Sequence, residues 1–535
     1  MHVRARRLRP VVTATLAAIT TAVLAACSGP AQATEERFQI DVATPLASLD
    51  PADACSLEDL GLLSDLYPTL VRYQDDPASP TGARTLRTDA VEPALAQSWT
   101  TSPDGRTYTF RLREARFPSG NPVTADVVRW SWQRTLDSGG CGSNFVTGGA
   151  RSEIESVAVR GEREIAVTLT SPTPDYLLAL TSVGAAVLDR DLVLEHAGTD
   201  VAEQSRWIAT NFAGGGPYTV DAYAPGTSLD LSANPAWWGA PPLESRVRVS
   251  FITNDATLLL RARGGRADVT LGLSKQSVRS LDGEAGVRIV DTPSAAWQVV
   301  GLPTELAPFD DPLFREALTY ATPQEQILRD VAHGYGQAYY GPFSPTFPAY
   351  REELSRPRPH DPAKARELVA RAGVRGPVDL DVYVRDGIED QIQIATILQQ
   401  AWKDVGVNLR IRTLSAAEYQ NAVGNEHKRW AVLRHDGPSV VTPGWVTSYD
   451  TACGHPYNPS NYCNPRLDAL AAAARTEPSA VARQADWDRI TRLWTADSPR
   501  VVAYAENYTA VLDDDVTDFV RGQNNLEIAR WGTRR

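Results

Sequence analysis

The residues able to do chemistry are scattered rather than gathered into a motif. Seven histidines stand at His2, His196, His333, His360, His427, His435 and His455. No two have the i, i+4 spacing that places a pair of metal ligands on one helix face. A G-x-S-x-G elbow, an H-E-x-x-H helix and a G-x-x-x-x-G-K-[ST] phosphate loop are all missing. The glycine run Gly214-Gly215-Gly216 is followed by Pro217-Tyr218 and a strand-like stretch. A phosphate cradle needs a helix there, so the run reads as a tight turn. Carboxylates are abundant, but nothing in their spacing pairs them for acid–base work. The aromatic residues are more informative. There are 13 Trp and 18 Tyr, and several fall in turn-like segments: Trp237-Trp238, Tyr339-Tyr340, Trp445, Tyr449, Tyr457 and Tyr462. Such side chains combine broad apolar area with a polar tip, which suits a ligand cleft.

The first thirty residues bear on location. Arg4, Arg6, Arg7 and Arg9 precede an uncharged stretch from Val11 to Val23, ending in Leu24-Ala25-Ala26-Cys27. A basic start, a short apolar core and small residues before a cut site make a secretory signal. That core is shorter than the roughly 20 apolar residues needed to span a bilayer. The final segment resembles a bacterial lipobox. The resemblance implies cleavage before Cys27, lipidation of its sulfur, a signal peptide over 1–26 and a polar leash over 27–37. The net charge of −12 falls to roughly −16 without the four arginines of the signal, which argues against nucleic acid as a partner. In an exported chain the four remaining cysteines suggest two disulfides. Cys453 and Cys463 are near neighbours and are paired on that ground, leaving Cys55 with Cys141. Four cysteines allow three pairings, and the sequence excludes none of them. A zinc site using His455 or His435 beside Cys453 and Cys463 is disfavoured, because the spacing is not C-x-x-C and the compartment oxidises thiols.

The elements that must position these residues alternate between strand and helix. Phe38 to Val42, Tyr108 to Leu112 and Ile165 to Leu169 alternate apolar and polar, as half-buried strands do. Leu57 to Leu66 and Thr124 to Leu136 have helical spacing, with Thr124 as a cap. Asp311-Pro312 and Asp361-Pro362 each open a helix, the second running to Ala372 and stopping at Gly373. Strands at Val378–Val384, Val407–Ile411 and Trp430–Leu433 alternate with helices at Gln391–Val405 and Ala416–Val423. This pattern implies βαβ units and an α/β fold.

The order of segments resembles the bacterial extracellular solute-binding proteins of family 5, which bind oligopeptides, dipeptides or nickel. Glu92 to Asp137, EPALAQSWTTSPDGRTYTFRLREARFPSGNPVTADVVRWSWQRTLD, resembles the signature region. GGGPYTVDAYAPGTSLDLSANPAWWG, FDDPLFREALTYATPQEQIL, YCNPRLDALAAAAR and ADWDRITRLWTADSPRVVAYAENYTAVLDDDVTDF resemble later family segments, in the family's order. The resemblance implies a two-lobed periplasmic-binding-protein-like fold, type II and cluster C-like. Lobe one would comprise 38–292 plus 503–535, with an extra subdomain at about 53–205. Lobe two would comprise 293–502, and the lobes would close about crossings near Thr292 and Val502.

It further implies a substrate-binding lipoprotein of an ABC importer, on the outer face of the cytoplasmic membrane, monomeric and working with permease subunits. It would capture short peptides between its lobes, without cofactor, resident metal or catalysis. Two departures from the family pattern bear on the site. AAWQVVGLPTE, which carries Trp297, lacks the family's asparagine. LRHDGPSVVTPGW stands where relatives carry an aspartate for the peptide amino terminus, and Asp436 is the candidate substitute. Trp297, Trp445 and Tyr449 join Asp436 as expected ligand contacts. Arg434 and His435 would instead suit an anionic ligand, within the alternative of a metal chelate, haem, sugar or opine. An exported hydrolase would need a nucleophile and base that no motif supplies.

Overall fold

The computed structural model describes residues 37–77, 83–147, 154–424 and 428–534. The expected signal peptide, Cys27 and most of the expected leash lie outside the described residues.

The central feature is one mixed sheet. Its strands run in the order Val407–Leu414, Val378–Arg385, Ala431–Asp436, Val287–Gly301, Arg500–Asp513, Val269–Leu271, Phe38–Val42, Arg246–Phe251, Ser228–Ala233 and Tyr218–Ala224. Pairing is parallel where helices make the crossover, as between Val378–Arg385 and Val407–Leu414, which the helix Glu389–Lys403 connects. It is antiparallel in the hairpin Tyr218–Ala224/Ser228–Ala233 and along the two long middle strands.

Those middle strands serve both lobes. Val287–Pro293 pairs with Asn507–Asp513, while Trp297–Gly301 pairs with Arg500–Ala505. The register breaks between Pro293 and Trp297, opposite Asn507 and Ala505. Proline has no amide hydrogen to give the ladder, so the sheet is interrupted where it passes from one lobe to the other.

Local signals account for the helices beside this sheet. Ala125–Ser138 is capped by Thr124, whose hydroxyl accepts from the Val127 amide, and Gly139 ends it with φ 67°. Pro312–Ala321 and Pro362–Arg371 carry proline in the first turn behind the caps Asp311 and Asp361. Helix Ala416–Val423 has a full capping box between Ser415 and Glu418. A four-stranded antiparallel sheet (Ala96–Thr101, Thr107–Leu112, Glu164–Leu169, Ile154–Gly161) and a smaller one joining Val71–Asp75, Arg84–Pro93 and Val520–Arg521 extend lobe one. No helix among the described residues is long and apolar enough to cross a membrane.

Each lobe has its own interior. Ile40, Leu63, Phe110, Trp132, Val249 and Trp531 belong to the lobe-one core. In lobe two, Leu318, Val382, Ile394 and Trp402 form one cluster, and Trp297, Phe343, Trp487 and Trp494 form another. The glycine run is a close crossing of two chain segments. A Cβ at Gly214 would lie 2.3 Å from the Leu66 carbonyl oxygen, and one at Gly216 would lie 2.5 Å from that of Asp65. Disulfides join Cys55 to Cys141 and Cys453 to Cys463.

Candidate functional site

The lobes meet through the segment that follows strand Ala431–Asp436. Gly437 makes the approach possible, since a Cβ there would sit 3.1 Å from Ala296 Cα and 3.3 Å from Leu57 of lobe one. Asn524 of lobe one donates to the Ser439 carbonyl, and Val440 and Trp445 pack into the lobe-one core. The Thr442 hydroxyl accepts from the Trp445 amide at 3.2 Å, and Pro443 opens the short helix Pro443–Tyr449. Trp445 and Tyr449 then lie one turn apart, with ring centroids at 4.5 Å. The other face of Trp445 stacks on Phe145 of lobe one at 5.1 Å and 16°. Tyr449 meets His455 at 4.7 Å, and His455 meets Tyr457 at 5.8 Å. The Tyr457 hydroxyl comes 3.9 Å from Cys141 Sγ. An aromatic wall therefore runs between two disulfide-braced loops, one from each lobe.

The expected contact residues divide among different places. Trp445 and Tyr449 belong to this wall, and Arg434 adjoins it by donating from Nη1 to the Tyr457 carbonyl at 2.7 Å. Trp297 is elsewhere. It is 1 % exposed, packed near Phe347 at 6.1 Å and over the Arg500 guanidinium at 5.2 Å. Arg500 is held in turn by Asp450 at 2.6 Å. In this conformation Trp297 fills the lobe-two interior. Asp436 ends its strand with its backbone opposite Trp297; its side chain lies outside the described residues.

Arg434 and His435 are neighbours in one strand, so their side chains leave on opposite faces and cannot form one anion-binding patch. His435 turns to a charged cluster, with Nε2 3.2 Å from Glu506 Oε2. Lys275 Nζ lies 3.0 Å from the other Glu506 oxygen, and Gln298 donates to Glu506 at 3.0 Å. Burial alone would raise the Glu506 carboxyl, but Lys275 and His435 outweigh it and hold the group at about 2. Asp390 has the opposite balance. Burial and then the negative Glu506 push it up to about 7, although Lys275 and His435 pull against them.

A cavity of about 420 Å³ lies beside the register break. Its walls are Thr292 to Ala295 of the crossing strand, Thr346 of lobe two, and Thr85 to Asp89, Tyr508 and Arg521 to Gln523 of lobe one. A larger groove of about 590 Å³ runs between Ala307–Asp311 and Ala372–Val378. It belongs to lobe two alone, so closure of the lobes cannot enclose anything there. The interlobe cavity is the better candidate despite its smaller volume. Arg521, Gln523 and Tyr508 were not legible as site residues, because their segment has neither motif nor periodicity. The amide run Gln523-Asn524-Asn525 just after the apolar Phe519-Val520 was the one available signal. Among the described residues, no group of His, Cys, Asp and Glu side chains is arranged to hold a metal ion.

The geometry agrees with known proteins. The family model for bacterial extracellular solute-binding proteins, family 5 Middle, matches residues 90–461. A probable D,D-dipeptide-binding periplasmic protein of Escherichia coli K12 is 26% identical over 479 residues, 88% of this chain and 89% of that one. The ABC transporter-associated periplasmic binding protein from Helicobacter pylori, solved with the peptide STSA, superposes with a TM-score of 0.81. It is 20% identical, over 94% of this chain and 98% of that one. A dipeptide-binding protein from Pseudoalteromonas sp. SM9913, solved with Met-Leu, also gives 0.81 at 19% identity, over 93% of this chain and 100% of that one. These structural neighbours share the two-lobed α/β fold, and the family match covers more than half the sequence. The chain belongs to the bacterial extracellular solute-binding proteins of family 5.

Proposed function

We propose that this protein is the substrate-binding lipoprotein of an ABC importer, and that it captures short peptides between its lobes for delivery to the permease subunits. The observation that carries this reading is a cavity whose walls come from both lobes and from the strand that crosses between them. A ligand touching both lobes stabilises their closure, which the importer can then read. Peptides carry donors, acceptors and charged ends, and the cavity is lined by hydroxyl, amide and charged side chains, among them Thr292, Ser294, Gln523 and Arg521. The peptides bound by the two solved neighbours, and the name of the Escherichia coli relative, support the same class.

In this reading, lobe one is 38–292 plus 503–535 with a subdomain at about 53–205, and lobe two is 293–502. The hinge is the register break at Pro293–Trp297, facing Ala505–Asn507. Trp445, Tyr449 and Arg434 bound the cleft on the wall side. The protein performs no catalysis, acts as a monomer, and is tethered to the outer face of the cytoplasmic membrane through lipid on Cys27. Labelled palmitate should enter the wild-type chain and not Cys27→Ser.

Native mass spectrometry of the chain from Ser28 onward tests the ligand. A ladder of small masses matching di- to pentapeptides, released on mild denaturation, is the expected result. A single discrete non-peptide mass or a metal-bearing adduct would overturn the peptide class and favour a specialised ligand.

A further inference from the structure

Arg521 is half-buried and lines the interlobe cavity. Arg134 and Arg500 each hold a carboxylate, Asp50 and Asp450 respectively. Arg521 instead lies over the Tyr508 ring, 3.9 Å from its centroid, and reaches the Tyr508 hydroxyl. Glu58 and Glu506 act on it only through space. Its Nε is buried and has no hydrogen-bond partner among the described residues.

Gln523 is 7 % exposed and lines the same cavity. Its Oε1 accepts from the Ala295 amide at 3.0 Å, which fixes the orientation of the side-chain amide. The remaining atom, Nε2, is a buried donor without a partner among the described residues. Among the other charged lining residues, Arg87 is engaged by Asp89 at 2.9 and 3.1 Å, so that pair adds little net charge, and Asp76 adds one carboxylate. Arg521, Gln523 and Tyr508 thus line one wall, and the first two each keep a buried N–H without an acceptor among the described residues. Donors left unpaired in a buried wall are unfavourable until an acceptor arrives.

We propose that Arg521 and Gln523 form a receptor for a carboxylate of the bound ligand, the guanidinium supplying charge and its Nε–H, and the Gln523 amide the second donor. A carboxylate matches this set in charge, in planarity and in having only acceptors. The proposal rests on the ligand occupying the space between the lobes. In a peptide the group is the terminal carboxylate or an Asp or Glu side chain.

The test uses the chain from Ser28 onward, calorimetry, and a library of di- and tripeptides prepared with free and with amidated C-termini. For a terminal carboxylate, free acids should bind at least about tenfold tighter than amides. That preference should collapse in Arg521→Met and reverse in Gln523→Glu, which keeps the acceptor for Ala295 but puts negative charge at the second donor. If amides bind only when they contain Asp or Glu, with the same dependence on Arg521, the side chain is the source. Equal ratios in wild type and both variants would overturn the receptor. Should no peptide bind, melting curves with gluconate and succinate replace the library. Stabilisation that needs Arg521 keeps the receptor and overturns the peptide reading, whereas no stabilisation overturns the receptor. If Arg521→Met does not fold, Arg521→Lys, which retains charge but loses the planar fork, and Gln523→Glu decide the same ratios.

Discussion

Asp450 and Arg500 form an ion pair at 2.6 Å, with side chains 8% and 2% exposed, beneath the rings of Trp297 and Trp494. Removing one partner strands the other charge in a site water cannot reach. Asp450→Ala is expected to lower stability by about 3–5 kcal/mol, read from the shift of the urea midpoint at constant slope. The same neighbourhood shows why the burial of Trp297 is not legible in the sequence. Residues 294–301 are buried continuously rather than alternately, so the period of two that assigns a strand's faces is absent. Trp445 stands on a helix whose start is set locally by Thr442 and Pro443. Its partner Phe145 comes from the other lobe, and no local pattern in either segment announces that stack.

The interlobe elements bring acidic groups together in a way that makes stability depend on pH. Asp390, at the start of helix Glu389–Lys403, is half-buried and faces Lys275, Glu506, His435 and Tyr504. Its carboxyl rises from an ordinary 3.8 to about 7. The folded form then binds more protons than the unfolded one between those values. The contribution of Asp390 is complete below 3.8 and is lost as pH rises through about 7. Between pH 5.5 and 7.5 the wild type should lose about 1 kcal/mol more than Asp390→Asn, after allowance for partial exposure. Melting curves of the two proteins at both pH values provide the check. Glu506 works in the opposite sense, but its loss falls as pH drops from 4.5 toward 2, below this window.

The disulfides belong to the same scale. Cys55–Cys141 spans 86 residues and Cys453–Cys463 spans 10. Chain-entropy reasoning makes the longer closure more stabilising by about 2 kcal/mol. Paired serine replacements should reproduce that order in urea titrations. Capped helices and alternating strands were legible because each is decided within a few neighbouring residues. Which loops the disulfides would bring face to face was not, since that depends on the positions of both lobes.

For the molecule as a whole, the stack of Phe145 on Trp445 is a direct contribution to closure. Aromatic pairs add about 0.5–1.5 kcal/mol beyond their buried area. Phe145→Ala should therefore shift the ligand-free population toward the open form by about fivefold or more. Small-angle scattering would show it as a larger radius of gyration that saturating ligand restores. An unchanged radius would mean that the stack does not govern closure. The family was legible at this scale because five segments stand in one order. The cavity was not, because its walls are drawn from residues as distant as Thr85 and Gln523.

The end of the chain returns to its beginning. Asp65 accepts from the backbone amides of Ile528 and Ala529 at 2.9 Å each, Trp531 packs against Phe38 and Phe519, and Phe38–Val42 is enclosed between Arg246–Phe251 and Val269–Leu271. A polypeptide threading outward through a membrane pore, amino end first, would thus bring out its first strand long before that strand's neighbours. It would have Asp65 before the amides that satisfy it. Residues 293–505 would be free to fold while the rest waits for the final stretch of chain. Export of the kind proposed above would therefore follow a schedule: the lobe that emerges first would be the last to be finished, with its strand edges unpaired in the interval.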